Sequence, residues 1–132
     1  MISYRTGNDL DLDAVIDLYR ASTLGLRRPV DDRSRMQQML HNANLVITAW
    51  DADLLVGISR SLTDFSYATY LADLAVRESH QRRGIGKELI RLTREASAPA
   101  SIILLAAPAA EQYYPHIGFA HHPQAWILRT PG

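Results

Sequence analysis

The chain has 132 residues, with 14 basic and 14 acidic side chains, a formal net charge of zero, 47% hydrophobic residues and no cysteine. That composition fits a single domain over residues 1–132 and excludes intrinsic disorder, disulfides, thiolate metal sites and a thiol nucleophile. Balanced charge disfavours a general polyanion binder such as a nucleic-acid coat, and with no long apolar run or basic-then-apolar leader the expectation is a cytoplasmic protein that engages no membrane.

After an opening strand, Leu12, Val15, Ile16 and Tyr19 recur at helical spacing between Asp9 and Ser22. Asn8 or Asp9 can cap this helix, and Asp11 and Asp13 suit its positive end. Gly25 and Pro29 break the pattern, after which Asp31 or Asp32 can cap a second helix with Met36, Met39, Leu40 and Ala43 on one face. Leu45 to Trp50 and Leu54 to Leu62 are rich in β-branched and apolar residues and flank Asp51-Ala52-Asp53, which reads as a hairpin. A third strand is predicted from Ala68 to Val76, and a short buried strand from Ile102 to Leu105 between Pro99 and Pro108. Between them a helix starts near Gly84, with Ile85, Leu89, Leu92 and Ala96 as its packing face and Arg91, Arg94 and Glu95 in solvent. A short helix through Ala110 and Tyr113 should end by Gly118, and a last strand should hold Trp126, Ile127 and Leu128. The resulting order, β-α-α-β-β-β-α-β-α-β, implies an α/β fold with a mixed, mainly antiparallel sheet flanked by helices and one strand–helix–strand crossover between residues 68 and 106.

The segment from Asp73 to Leu89 joins a strand to a helix through Gln81-Arg82-Arg83-Gly84-Ile85-Gly86-Lys87. Glycines at 84 and 86 let a ligand approach the backbone, and a helix opening there presents unpaired N–H groups and a positive dipole end, which suits a pyrophosphate. Arg77, Arg82, Arg83, Lys87, Arg91 and Arg94 gather around it against Glu78 and Glu88. By itself a Gly-x-Gly is equally an ordinary helix start, and neither the P-loop nor the dinucleotide fingerprint fits.

Gln81-x-x-Gly84-x-Gly86 resembles the acetyl-coenzyme A signature of GCN5-related N-acetyltransferases. Ala110-x-x-Tyr113-Tyr114-x-x-x-Gly118-Phe119 is similar to that family's second motif, and the element order agrees along nearly the whole chain. Two positions depart from the pattern, Glu78 where proline is common and Ala107 where asparagine is common, and the second removes a cofactor contact. The resemblance implies acetyl-coenzyme A as acetyl donor, with its pyrophosphate on Gln81, Arg82, Arg83, Gly84, Ile85, Gly86 and Lys87, and its pantetheine arm on backbone groups of Leu74, Ala75 and Val76.

It also implies direct transfer to a primary amine of a small molecule or a protein, with Tyr114 as general acid for the leaving thiolate. Without the motif Tyr113 and Tyr114 read as packing aromatics, and Tyr113 keeps that reading. Asp73, beside the strand end, or Glu111, just ahead of Tyr114, is the candidate base, with a water relay as alternative. His80 and the His121-His122 pair do not form a metal set. Acceptor contacts are expected from Leu24 to Asp31 and Asp64 to Tyr67, and the apolar stretch around Trp126 is a candidate homodimer interface. The alternative function on the same fold is a non-catalytic acyl-coenzyme A sensor or partner-binding module.

Overall fold

Successive side chains of a strand point to opposite faces, so the continuous runs of buried residues in the central strands bury both faces of one sheet. In the computed structural model, which describes residues 1–131, five strands pair in chain order: β1 (Ile2–Thr6), β2 (Leu45–Asp51), β3 (Leu54–Thr63), β4 (Ala68–Val76) and β5 (Ser101–Ile103). Each of the first four runs antiparallel to its neighbours among them and β5 joins β4 in parallel, so the mixed, mainly antiparallel sheet expected from the sequence is present.

Helices α1 (Leu12–Arg20) and α2 (Arg33–Asn42) cover one face, where Leu18, Tyr19, Met36 and Leu40 pack with Val46, Leu55, Ile58 and Ala75. Helix α3 (Ile85–Ser97) covers the other, seating Ile85 and Leu89 on Leu45, Ile47, Ala49 and Val56. A short α4 (Tyr113–His116) follows a 3-10 turn at Pro108–Ala110. Among the described residues no helix is long and apolar enough to cross a membrane.

Local chemistry sets the helix ends. Asp32 caps α2 by accepting from the Arg35 N–H, as expected, but α1 is capped by Asp11, which accepts from Asp13, and not by Asn8 or Asp9. Asn8 instead donates to the carbonyls of Leu40, His41 and Ala43, closing the C-terminal end of α2 that would otherwise be left with unpaired acceptors.

Three sequence expectations need correction. The short strand expected to be buried from Ile102 to Leu105 is instead β5 at Ser101–Ile103, with Ile103 and Leu105 each about half in solvent, because it forms the edge of the sheet. Leu92 packs half-buried against the same cluster as Ile85 and Leu89, as expected, but Ala96 is exposed and the buried row of α3 continues through Thr93 and Ser97: Thr93 Oγ1 shares a 2.7 Å hydrogen bond with Ser59 Oγ, so a polar pair sits where apolar contact was expected. The last strand is absent: residues 119–131 carry no regular structure, and Trp126 and Leu128 are 93% and 94% exposed. A strand needs a ladder to join, and β5, with three residues and Ile103 half in solvent, offers too short an edge.

Candidate functional site

The site originates in a mismatch of strand lengths. Strand β4 has nine residues and β5 three, and they pair only from Ala68 opposite Ser101 to Tyr70 opposite Ile103. A register shift then sets Ser61 opposite Leu71 and Arg60 opposite Asp73, which leaves Ala72 as an extra residue on β4 and bends the strand as a bulge does. Beyond it, Leu104, Leu105 and Ala107 diverge from Leu71, Leu74 and Val76, opening a cleft of about 550 Å³ between them.

The edge of β4 that faces this cleft is polar. The Arg77 N–H donates to the Val56 carbonyl at 2.8 Å, so the next pairs along, Gly57 with Val76 and Ser59 with Leu74, are of the kind whose backbone groups turn away from the partner strand. The N–H and C=O of Leu74 and the N–H of Val76 therefore point from β3 toward the cleft. The Val76 carbonyl accepts from Gln81 Nε2 at 3.0 Å, so the Gln81 side chain braces the turn that follows the strand.

That turn contains two left-handed residues, Arg82 at φ +64° and Gly84 at φ +79°. For Arg82 this conformation is uncommon, whereas Gly84 meets it without a Cβ penalty. Helix α3 starts at once, with no side-chain cap, and its first bond runs from the Glu88 N–H to the Gly84 carbonyl at 3.0 Å. The N–H groups of Ile85, Gly86 and Lys87 thus have no partner within the helix and stand at the positive end of its dipole. Gly86 borders the cleft: a Cβ there would lie 3.5 Å from the Tyr113 hydroxyl and 3.7 Å from Val76 Cγ2.

Of the six basic residues clustered in the sequence, only Arg82 and Lys87 line the cleft. Arg77 bonds Asp17 and the Leu55 carbonyl, and Arg91 holds Glu88 and Glu95, which keep its pKa above the usual arginine value. Arg83 and Arg94 do not line it, so the expected contact from Arg83 lacks structural support: closeness in sequence is not convergence on one side of a turn.

Across the cleft, Tyr114 is half-buried and packs edge-to-face on Tyr113 and Phe119 at centroid distances of 5.3 and 5.4 Å. Burial, and then neighbouring Tyr113, raise its pKa, so the phenol retains its proton through neutral pH. Both tyrosines line the cleft, and Tyr113 lies against the first turn of α3 rather than serving only as packing.

Neither candidate base reaches the site. Asp73 is fully buried beneath β4, where Tyr19 Oη, Arg60 Nε and Arg28 Nε all donate to its carboxylate at 2.6 Å. Burial alone would raise its pKa, but the hydrogen bond and charge of Arg60, with Tyr19 and Arg28, bring it below the usual carboxylate value. An ionised, fully engaged carboxylate is a poor proton acceptor, which removes Asp73 from the base role. Glu111 is exposed and does not line the cleft. His80 does line it, with both ring nitrogens engaged, one by Ser79 Oγ at 2.7 Å and one by Asp51 Oδ2 at 2.8 Å. Among the described residues no group of three or more potential ligands could hold a metal ion.

A further wall of the cleft comes from a 3-10 turn, Thr23–Arg27, and Arg28 after it. Gly25 lets this turn lie against the end of α1, since a Cβ there would sit 2.6 Å from the Tyr19 carbonyl oxygen. Leu24, Arg27 and Arg28 line the cleft, as expected for part of the Leu24 to Asp31 loop, whereas Asp64 to Tyr67 form the far hairpin turn and do not. Within that loop the sequence did not distinguish Arg28 from its neighbours, and it gave Leu105 no role beyond a strand residue. Their partners across the cleft are distant along the chain, and no local pattern marks them.

A sequence model of the acetyltransferase (GNAT) domain matches residues 22–126. No curated protein matches the chain in sequence. Among solved structures it is similar to a GNAT-family acetyltransferase from Streptococcus pneumoniae at 25% identity, with 98% of this chain and 100% of the other covered and a TM-score of 0.78. It shares its fold with an aminoglycoside acetyltransferase from an uncultured soil metagenomic sample, solved with sisomicin, at 21% identity, coverage of 99% and 97%, and a TM-score of 0.74. An aminoglycoside N-acetyltransferase in complex with CoA is likewise similar in fold at 16% identity, coverage of 98% and 95%, and a TM-score of 0.73.

Proposed function

The chain belongs to the acetyltransferase (GNAT) domain family, and on that premise we propose that it works as a single domain transferring an acetyl group from acetyl-coenzyme A directly to a primary amine. The observation that carries this reading is the start of α3: three N–H donors without helical partners, flanked by Arg82 and Lys87, stand at the head of the open edge of β4. Orphan donors and a positive dipole fit a pyrophosphate, and the bare backbone at Gly86 leaves room for one. The CoA complex of the aminoglycoside enzyme with this fold supports the same cofactor class.

When bound, acetyl-coenzyme A supplies an activated thioester. The chain's own groups then have definable tasks. Leu74 and Val76 offer backbone groups along the cleft, an arrangement suited to an extended amide-bearing arm. Tyr114 holds a proton that it can donate to a departing thiolate, having comparable basicity and a raised pKa. With Asp73 locked in its ion pairs and Glu111 outside the cleft, loss of the amine proton falls to water.

Calorimetry with acetyl-coenzyme A, followed by thiol release over a panel of amines, tests this reading. Saturable binding and amine-dependent release are expected. No binding at millimolar cofactor overturns the reading, and binding without turnover of any amine points instead to an acyl-coenzyme A sensor.

The turn can be tested separately. In Gly86→Val the Cβ finds ordinary contact distances, so the variant should fold, with Tm unchanged or slightly raised because valine favours helix over glycine. Its two further methyl groups project into the cleft at the first turn of α3. Cofactor affinity is expected to fall by about tenfold or more, since a blocked backbone N–H loses a charge-assisted bond. Equal affinity in a folded variant would place the cofactor elsewhere.

A further inference from the structure

The two ends of the cleft differ in chemistry. At one end Arg82 and Lys87 flank the orphan donors of α3. At the other, Arg28 Nη2 donates to the Ala72 carbonyl at 2.9 Å, four residues and roughly 13 Å along β4 from Val76 at ~3.3 Å per residue. Arg28 is thus anchored well along β4 from the strand end that leads into the turn.

The charge at this far end is not neutralised. Asp73 is one carboxylate shared between two guanidiniums, Arg28 and Arg60, so the buried group carries a surplus positive charge. Arg28 commits three of its N–H donors, to Asp73, the Arg27 carbonyl and the Ala72 carbonyl, and of the five donors of a guanidinium the remainder can face the cleft that it lines. Arg27, whose carbonyl accepts from Arg28 Nη1, is exposed, lines the cleft and makes no ion pair among the described residues. Among the described residues no aspartate or glutamate lines the cleft, while Leu24, Leu71, Leu105 and Ile117 do.

From this we infer the class of acetyl acceptor: a small apolar amino acid, whose carboxylate is held by Arg27 and Arg28 and whose hydrocarbon side chain lies against Leu24, Leu71, Leu105 and Ile117. The inference rests on the transferase reading above. A polycationic amine such as an aminoglycoside meets two like charges here and no carboxylate to offset them, so the acceptor wall disfavours it. An amino acid brings the missing anion, and its amine is left on the side of the thioester path between Leu74 and Tyr114.

The test compares kcat/KM for leucine, methionine and phenylalanine with that for their amides, which keep amine and side chain but lack the carboxylate, and for an aminoglycoside. The free acids should exceed their amides by about tenfold or more, the gain expected of a charge-assisted pair in a partly buried site. Arg27→Ala, at an exposed position, should fold, raise KM for the free acids about tenfold and leave the amides and the calorimetric affinity for acetyl-coenzyme A unchanged. Amides or the aminoglycoside reacting as well as the acids would overturn the inference, as would failure of every amino acid with a protein that binds acetyl-coenzyme A. Absence of cofactor binding would instead overturn the transferase reading, and this inference with it.

Discussion

Tyr114→Phe is expected to lower kcat by about two to four orders of magnitude, the usual contribution of a positioned general acid, while acetyl-coenzyme A affinity stays within about twofold. The change removes one oxygen. The ring keeps its edge-to-face contacts with Tyr113 and Phe119, so neither the fold nor the cleft wall should move. A matching signature is expected in the pH profile. Burial and Tyr113 raise the Tyr114 pKa, so the acid form persists past the ordinary tyrosine value of ~10, and only above it should wild-type kcat fall as the proton is lost. The phenylalanine variant should lack that alkaline limb. If kcat is unchanged, water or another group protonates the thiolate and the assignment fails.

The largest effect on stability is expected at Asp73. Asp73→Asn leaves the Arg60 and Arg28 guanidiniums facing a neutral amide that cannot accept three charged or phenolic donors as a carboxylate does. Removing one partner of a buried ion pair costs about 3–5 kcal/mol, a large part of the ~5–15 kcal/mol that holds a domain together. A fall in Tm on the order of 10–20 °C follows for a domain of this size.

The sign of the pH dependence can be worked out from the same network. The folded-state pKa of Asp73 lies below its unfolded value, so its stabilisation is complete above about pH 3.9 and is lost as pH falls through the lower folded value. Tyr19 is shifted the opposite way, well above its ordinary value, first by burial and then by Asp73. Its contribution is complete below about pH 10 and is lost as pH rises through the folded value. Thermal melts of the wild type should be flat between these limits with respect to this network, and the asparagine variant should lose the acid-side component. A Tm within a degree or two of wild type at neutral pH would show that the buried charges are compensated in some other way.

The acid limb of this network could not be read from the chain. Asp73 sits in an alternating strand at the mouth of a glycine-rich turn, which is where a catalytic carboxylate would be sought. Its partners Tyr19, Arg28 and Arg60 lie 54, 45 and 13 residues away in sequence, and only packing α1, the end of the Thr23–Arg27 turn and β3 against β4 makes them neighbours. The basic cluster around Gly84 failed for the converse reason. Its members are adjacent in sequence, but the turn and the pitch of α3 send Arg77 to Asp17 and Arg91 to Glu88 and Glu95.

Other features were legible because their causes are local. The hairpin needed only β-branched runs around Asp51-Ala52-Asp53, and Ala52 takes the left-handed conformation at its tip. The C-terminal stretch around Trp126 has strand-like composition, yet a strand is a property of two chains of backbone, and β5 ends after three residues.

Capping, periodicity and left-handed residues act within a few positions, so the sequence specified the elements from β1 to α4 in their order and where a helix opens on a glycine turn, but not the absence of a last strand. It also carried both motifs that mark the acetyltransferase domain. The tertiary structure alone decided that β4 and β5 part company, which carboxylate is buried and which arginines face the cleft. Those properties depend on charges and strand edges brought together from distant parts of the chain, and no local pattern encodes them.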